Sequence, residues 1–171
     1  LDLEEAMPTE ANFYYIHVPS RTRPVVHEVR FLPIHEFLAD EEACRTLWDM
    51  VTGQFHTRGK FLAIWQCVRF VAVHRDAAGV AGLLLVSAPA NWQIDYVVVR
   101  EDRRGQGIAT SLVNETTNRA LALGVPYVML TSRANLRTLY ESQCGFTPVA
   151  GPGGPLTSPK CHVSQPAPNG R

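Results

Sequence analysis

The stretch that most restricts the fold lies just past the middle of the chain. Tyr96-Val97-Val98-Val99 is apolar on both faces, and Arg103-Arg104-Gly105-Gln106-Gly107 follows it; Ile108, Leu112, Val113, Thr116, Ala120 and Leu123 then recur on one stripe that Gly124 closes. A strand apolar on both faces belongs in the middle of a sheet, and a stripe of helical period ended by glycine is a helix packed against it. With a further strand at Tyr127 to Thr131, these segments form a βαβ-like unit. Its turn exposes the first N–H groups of the helix, which have no partner within the helix and lie at the positive end of its dipole. An anion is their natural partner. Gly105 and Gly107 remove side chains that would hold a phosphate away, and Arg103 and Arg104 add charge beside it. The competing reading is that the glycines only let the chain bend.

Around this unit, Asn12 to Val18 and Val25 to Leu32 read as strands, and Ile34 to about Thr52 as one helix or two broken near Asp40. Phe55 to Lys60 reads as a loop, Leu62 to His74 and Val80 to Ser87 as strands joined by a polar turn, and Gln93 to Arg100 as the central strand. Arg104 to Leu123 is the helix, Asn135 to Ser142 a short helix and Phe146 to Val149 a last strand. The expected class is α+β, a mixed, mostly antiparallel sheet of six to seven strands flanked by about four helices. Residues 1–171 read as a single domain with its ligand-binding core at about 93–149. Residues 150–171 read as a loose tail with at most a short strand around Cys161-His162-Val163.

Sixteen Lys and Arg balance sixteen Asp and Glu, so neither nucleic acid nor an anionic membrane is favoured as partner. The four cysteines show no Cys-x-x-Cys pair, which argues against a zinc ribbon or redox motif; no metal is expected, and reduced thiols fit a cytoplasmic protein. Apolar runs fall far short of the ~20 residues that span a membrane. The acidic start lacks the features of a secretory signal, and because no Met opens the chain, trimming or an upstream fusion is expected. Two nucleotide motifs fail: the third glycine of a dinucleotide fingerprint is Thr110 here, and no Gly-Lys-Ser/Thr is present.

The stretch from Val97 to Phe146 resembles the GNAT superfamily of acetyl-CoA-dependent N-acetyltransferases, whose signature is Arg/Gln-x-x-Gly-x-Gly/Ala after a central strand. Arg104, Gly107 and Ala109 match it, and Asn135, Leu139-Tyr140-Glu141 and Gly145-Phe146 are similar to a second signature. The resemblance implies that the strand Val97-Val98-Val99 holds the pantetheine arm and thioester carbonyl through its backbone. It also implies that Arg104, Gly105, Gln106, Gly107, Ile108, Ala109 and Thr110 hold the pyrophosphate, that Asn135 contacts the cofactor, and that Tyr140 protonates the departing thiolate. A phenol of pKa ~10 is protonated at neutral pH and close in acidity to a thiol, which suits that role. The chain departs from the family in two intervals: Asn to Tyr and Tyr to Gly are both five, where seven and four are usual. Thr131 stands where some relatives carry a glutamate base.

For the base, Asp95 is the first candidate, since alternation puts it on the face of Val97 and Val99; a solvent-facing carboxylate is the competing reading. His56 is a second candidate, and more often such a histidine is simply exposed. Trp48, Phe55, Trp65 and Trp92 either line an apolar acceptor pocket or belong to the core, and Tyr140 either acts as acid or packs as a core ring. Cys144 has no His and Asp arranged to activate it and reads as inert. The expected reaction is direct transfer of an acyl group, foremost acetyl, from acetyl-CoA or another acyl-CoA to a primary amine on a small molecule or peptide. A GNAT-like module that binds acyl-CoA as a sensor is the alternative, and a homodimer through edge strands is open because many members pair that way.

Overall fold

The computed structural model describes residues 12–55, 58–88 and 91–150. Seven strands, β1 (Asn12–His17), β2 (Arg30–Pro33), β3 (Val68–Asp76), β4 (Gly79–Ser87), β5 (Trp92–Val99), β6 (Val128–Arg133) and β7 (Thr147–Ala150), form one sheet in the order β2-β3-β4-β5-β6-β1-β7. Neighbours are antiparallel except β5 and β6, which run parallel. Helices α1 (Ile34–Phe37), α2 (Glu41–Phe55) and α3 (Arg58–Trp65) pack on one face and α4 (Ile108–Ala122) on the other. This is the α+β, mostly antiparallel arrangement that the sequence pattern implies.

β4 is buried from Val80 to Ser87, with Leu84 and Val86 under α4 and Leu83 and Leu85 on the α2 side. Two covered faces explain why that strand is apolar throughout. Gly82 brings α4 down onto the sheet: a Cβ there would lie 2.7 Å from Ile108 Cγ2 and 3.0 Å from Leu112 Cδ1. The helical stretch after Pro33 is two helices, broken at Leu38–Asp40, where the Asp40 carboxylate accepts the Ala43 N–H and so caps α2.

Two segments differ from the sequence reading. Residues 25–29 are not a strand. β1 lies in the far part of the sheet and β2 at the opposite edge, so residues 18–29 must cross five strand positions, about 24 Å at ~4.8 Å each, and they do so over α4. Their backbone groups pair with that helix. Arg23 exchanges two hydrogen bonds with the Asn118 amide (2.7 and 2.9 Å), Pro24 O accepts from Asn114 Nδ2 (2.8 Å), and Val26 and His27 donate to Ser111 Oγ (3.2 and 3.1 Å). The second difference is α3, which replaces both the loop reading at 58–60 and the strand reading from Leu62. Phe61 is buried and Ile64 and Trp65 pack beside it; this i, i+3, i+4 spacing is helical, hidden in a run apolar enough to resemble a strand. His56, residues 151–171 and the short strand around Cys161-His162-Val163 lie outside the described residues. Among the described residues, no helix is long and apolar enough to cross a membrane.

Candidate active site

The central strand changes character half-way along. β5 pairs with β4 over most of its length but with β6 only at Trp92, Gln93 and Ile94. β6 stays paired with β1 as far as Arg133, so the sheet parts after Ile94, and among the described residues β6 pairs with β5 only at 92–94. A bulge sits at the same point. Tyr96 opposes Leu85 and Ile94 opposes Val86, which makes Asp95 the extra residue. The bulge resets the faces: Trp92, Ile94, Val97 and Val99 belong to the α4 side, Tyr96 and Val98 to the α2 side. Simple alternation therefore does not carry Asp95 onto the face of Val97 and Val99. Asp95 is half-buried, with Oδ2 shielded from solvent.

After β5, one 3-10 turn (Glu101–Arg103) leads into an exposed loop, residues 104–107, and then α4. Gly105 and Gly107 have φ of +72° and +80°, left-handed values that favour glycine. Gly107 caps α4 with no side-chain hydrogen bond, so the first N–H groups of the helix receive no side-chain acceptor there. A Cβ at Gly105 would meet nothing within 4 Å, and one at Gly107 would meet only His27 Nε2, at 4.0 Å. The bend is bare on the side where an anion would lie.

The arginines divide their roles. Arg104 is exposed and its Nε donates to Val99 O (3.1 Å), tying the loop back to the open strand. Arg103, expected beside a phosphate, instead turns inward. It pairs with Asp76 at the end of β3, and its Nε donates to Gln106 Oε1 (2.9 Å). Asp76 also takes Arg100 (2.5 Å), and that guanidinium, ahead of the others, holds the Asp76 carboxyl well below the usual carboxylate range. Gln106 O lies 2.6 Å from His27 Nε2, and Thr110 Oγ1 donates to Gln143 Oε1 (2.7 Å). Neither His27 nor Asp76 stands out in the sequence, since one lies in a segment that reads as a strand and the other in a turn.

The opposite wall comes from the other side of the parting. Asn135 is exposed on a 3-10 turn (Ala134–Leu136), and Tyr140 follows on a short π-helix (Thr138–Gln143). A π turn takes in one residue more than an α turn, which is how the chain absorbs the extra residue between Tyr140 and Gly145. Tyr140 is 5% exposed, with its ring 5.8 Å from that of Tyr15 and 6.1 Å from that of Phe146. Burial, foremost, pushes its hydroxyl well above the ordinary phenol range. The Cys144 thiol is fully buried and pushed up to about 12 by the same cause, which keeps it protonated at neutral pH.

The three tryptophans do not converge. Trp48 and Trp65 pack around Phe61 on the α2 side, whereas Trp92 stacks on Phe31 and lies tilted against Phe70 under the α4 side. Phe55 ends α2. Thr131 is exposed on β6. A cavity of about 250 Å³ opens at the far edge, among Glu28, Arg30, Glu36, Asp40 and Arg75, and includes none of the site residues above.

Solved structures share this architecture. A GCN5-related N-acetyltransferase from Sphaerobacter thermophilus superposes with a TM-score of 0.61 at 21% identity, over 82% of this chain and 49% of its own. An acetyltransferase of the GNAT family from Novosphingobium aromaticivorans gives 0.55 at 16% identity, over 84% and 62%. A GCN5-related N-acetyltransferase-like protein from Streptococcus suis gives 0.52 at 15% identity, over 87% and 63%. The chain thus spans between half and two thirds of the length of these structures. No curated protein matches the sequence. The model of the acetyltransferase (GNAT) family matches residues 34–146, which takes in the helices over one face, the parted strand, the bare glycine bend and the tyrosine opposite it. With that match over about two thirds of its length, the chain belongs to the GNAT acetyltransferase family.

Proposed function

We propose that this chain transfers an acyl group, foremost acetyl, from acyl-CoA to a primary amine of a small molecule or peptide. The observation that carries the reading is that β5 parts from β6 after Ile94 and is followed, at its end, by the glycine bend and an α4 start without a side-chain cap. The residues fit the cofactor. N–H groups of Gly105 to Thr110 and the Arg104 guanidinium would hold the pyrophosphate, the edge of Val97-Val98-Val99 would bond the pantetheine arm as an added strand, and Asn135 would touch the cofactor from the opposite wall. The bound cofactor supplies the activated thioester.

A β5 N–H would donate to the thioester carbonyl oxygen as negative charge builds on it. Tyr140 holds the proton for the sulfur. Its raised pKa keeps it protonated at neutral pH, so the proton is present to be given as the carbon–sulfur bond breaks. Asp95 is the proposed base, acting through water on the amine. The free thiols of Cys44, Cys67 and Cys144 suit a reducing compartment, and we place the protein in the cytoplasm. Incubation with acetyl-CoA and a panel of amines, followed by free-thiol detection, tests the reading. Amine-dependent thiol release supports transfer, whereas coenzyme A binding without release points to a sensor.

A further inference from the structure

Gln106, at the centre of the glycine bend, is gripped from two directions. Its carbonyl meets His27 Nε2 at 2.6 Å, and its side chain accepts from Arg103 Nε at 2.9 Å. Both grips trace back to the end of β3. On one side, the His74 ring lies 5.1 Å from the His27 ring, and His74 Nδ1 donates to Glu28 O (2.7 Å), fixing the crossing segment beside the bend. The His27 N–H is itself bonded to Ser111 Oγ on α4 (3.1 Å). On the other side, Asp76, two residues after His74, pairs with Arg103 and with Arg100, while its Oδ1 also accepts the Ala78 N–H (2.9 Å).

A loop that presents bare N–H groups has no ligand of its own to hold its shape, and two left-handed glycines leave it free to change conformation. Turning the Gln106 peptide would replace an outward N–H by a carbonyl oxygen, which repels phosphate. His27 prevents that by engaging the carbonyl, and the pair Asp76 and Arg103 prevents it by holding the side chain. We infer that His27 and Asp76 are positioning residues for the cofactor's pyrophosphate, acting through Gln106 without touching the cofactor. The inference rests on the coenzyme A reading proposed above. It also gives the crossing segment, residues 18–29, a role in binding as well as in connecting strands.

The test is calorimetric titration of the full chain with coenzyme A for wild type, His27→Ala, His27→Gln and Asp76→Asn, with melting temperatures in parallel. Glutamine carries an amide donor at nearly the reach of Nε2, so it keeps the bond that alanine removes. His27→Ala and Asp76→Asn are expected to raise the Kd about two- to tenfold, the range that one hydrogen bond supports. His27→Gln should stay close to wild type, and His27→Ala should melt within about 2 °C of it. Unchanged affinity in His27→Ala, or His27→Gln as weak as His27→Ala, overturns the inference while leaving the coenzyme A reading intact. A wild type that binds no coenzyme A overturns both. Should Asp76→Asn fail to fold, the two His27 variants decide the matter.

Discussion

The two halves of β5 differ in both composition and pairing: Trp92-Gln93-Ile94-Asp95 alternates apolar and polar residues, whereas Tyr96-Val97-Val98-Val99 does not. Gln93 and Ile94 are paired with strands on both sides, and Trp92 and Ile94 are buried in the core. From the bulge at Asp95 onward the strand keeps β4 and loses β6, and the glycine bend, Arg104 and the start of α4 gather at its end. In the function proposed above, the strand edge that β6 leaves after Ile94 is the part of the sheet that takes the pantetheine arm, while the half paired with β6 belongs to the core.

The comparison breaks most sharply at Tyr140. Tyr140→Phe keeps the ring and removes the proton; turnover with a productive amine is expected to fall about a hundredfold or more, with coenzyme A affinity unchanged in titration. Because burial raises this hydroxyl, the rate should show no decline from its ionisation anywhere up to pH 10. Next in size is Gly107→Val, which places a β-branched residue at φ +80°. Strain of about 1–3 kcal/mol should be relieved by moving the bend, weakening coenzyme A about tenfold or more while the melting temperature changes little.

Two smaller effects concern the paired core. Gly82→Val drives a side chain into Ile108 and Leu112 and should destabilise the fold by about 1–3 kcal/mol, read by urea denaturation. His17 lies level with Trp92 in the paired half, through Val128; burial, foremost, lowers its pKa, and Nδ1 contacts Gly145 O at 3.0 Å. A histidine whose folded pKa is depressed stabilises the native state above the unfolded value of ~6.5 and loses that contribution as pH falls below it. The melting temperature should therefore drop from pH 7 to pH 5.5, and His17→Asn, which keeps a donor near Nδ1, should show a shallower drop.

The second signature was readable because Tyr140 and Phe146 are separated by local turns only, although the π turn that accommodates the spacing was not. The loop and helix at 104–123 were readable for the same reason: glycines, charges and a period of 3.6 act over a few residues. What escaped depends on distant segments. Ser111, Asn114 and Asn118 look like a solvated stripe on α4, yet they receive residues 23–27 from 84 to 95 positions away. The place of β1 between β6 and β7, and the bulge at Asp95, arise from strand pairing that no local pattern encodes. His27 and Asp76 were missed with them, because each matters only through what the fold sets beside it.

The proposed function requires coenzyme A to lie along the far half of β5 and the start of α4. Amide-resolved NMR titration of the full chain with coenzyme A tests it directly. The largest shift changes are expected at residues 105–110 and 96–99, with 92–94 nearly still. Changes centred on the cavity at the β2 edge, or none at millimolar coenzyme A, would contradict it.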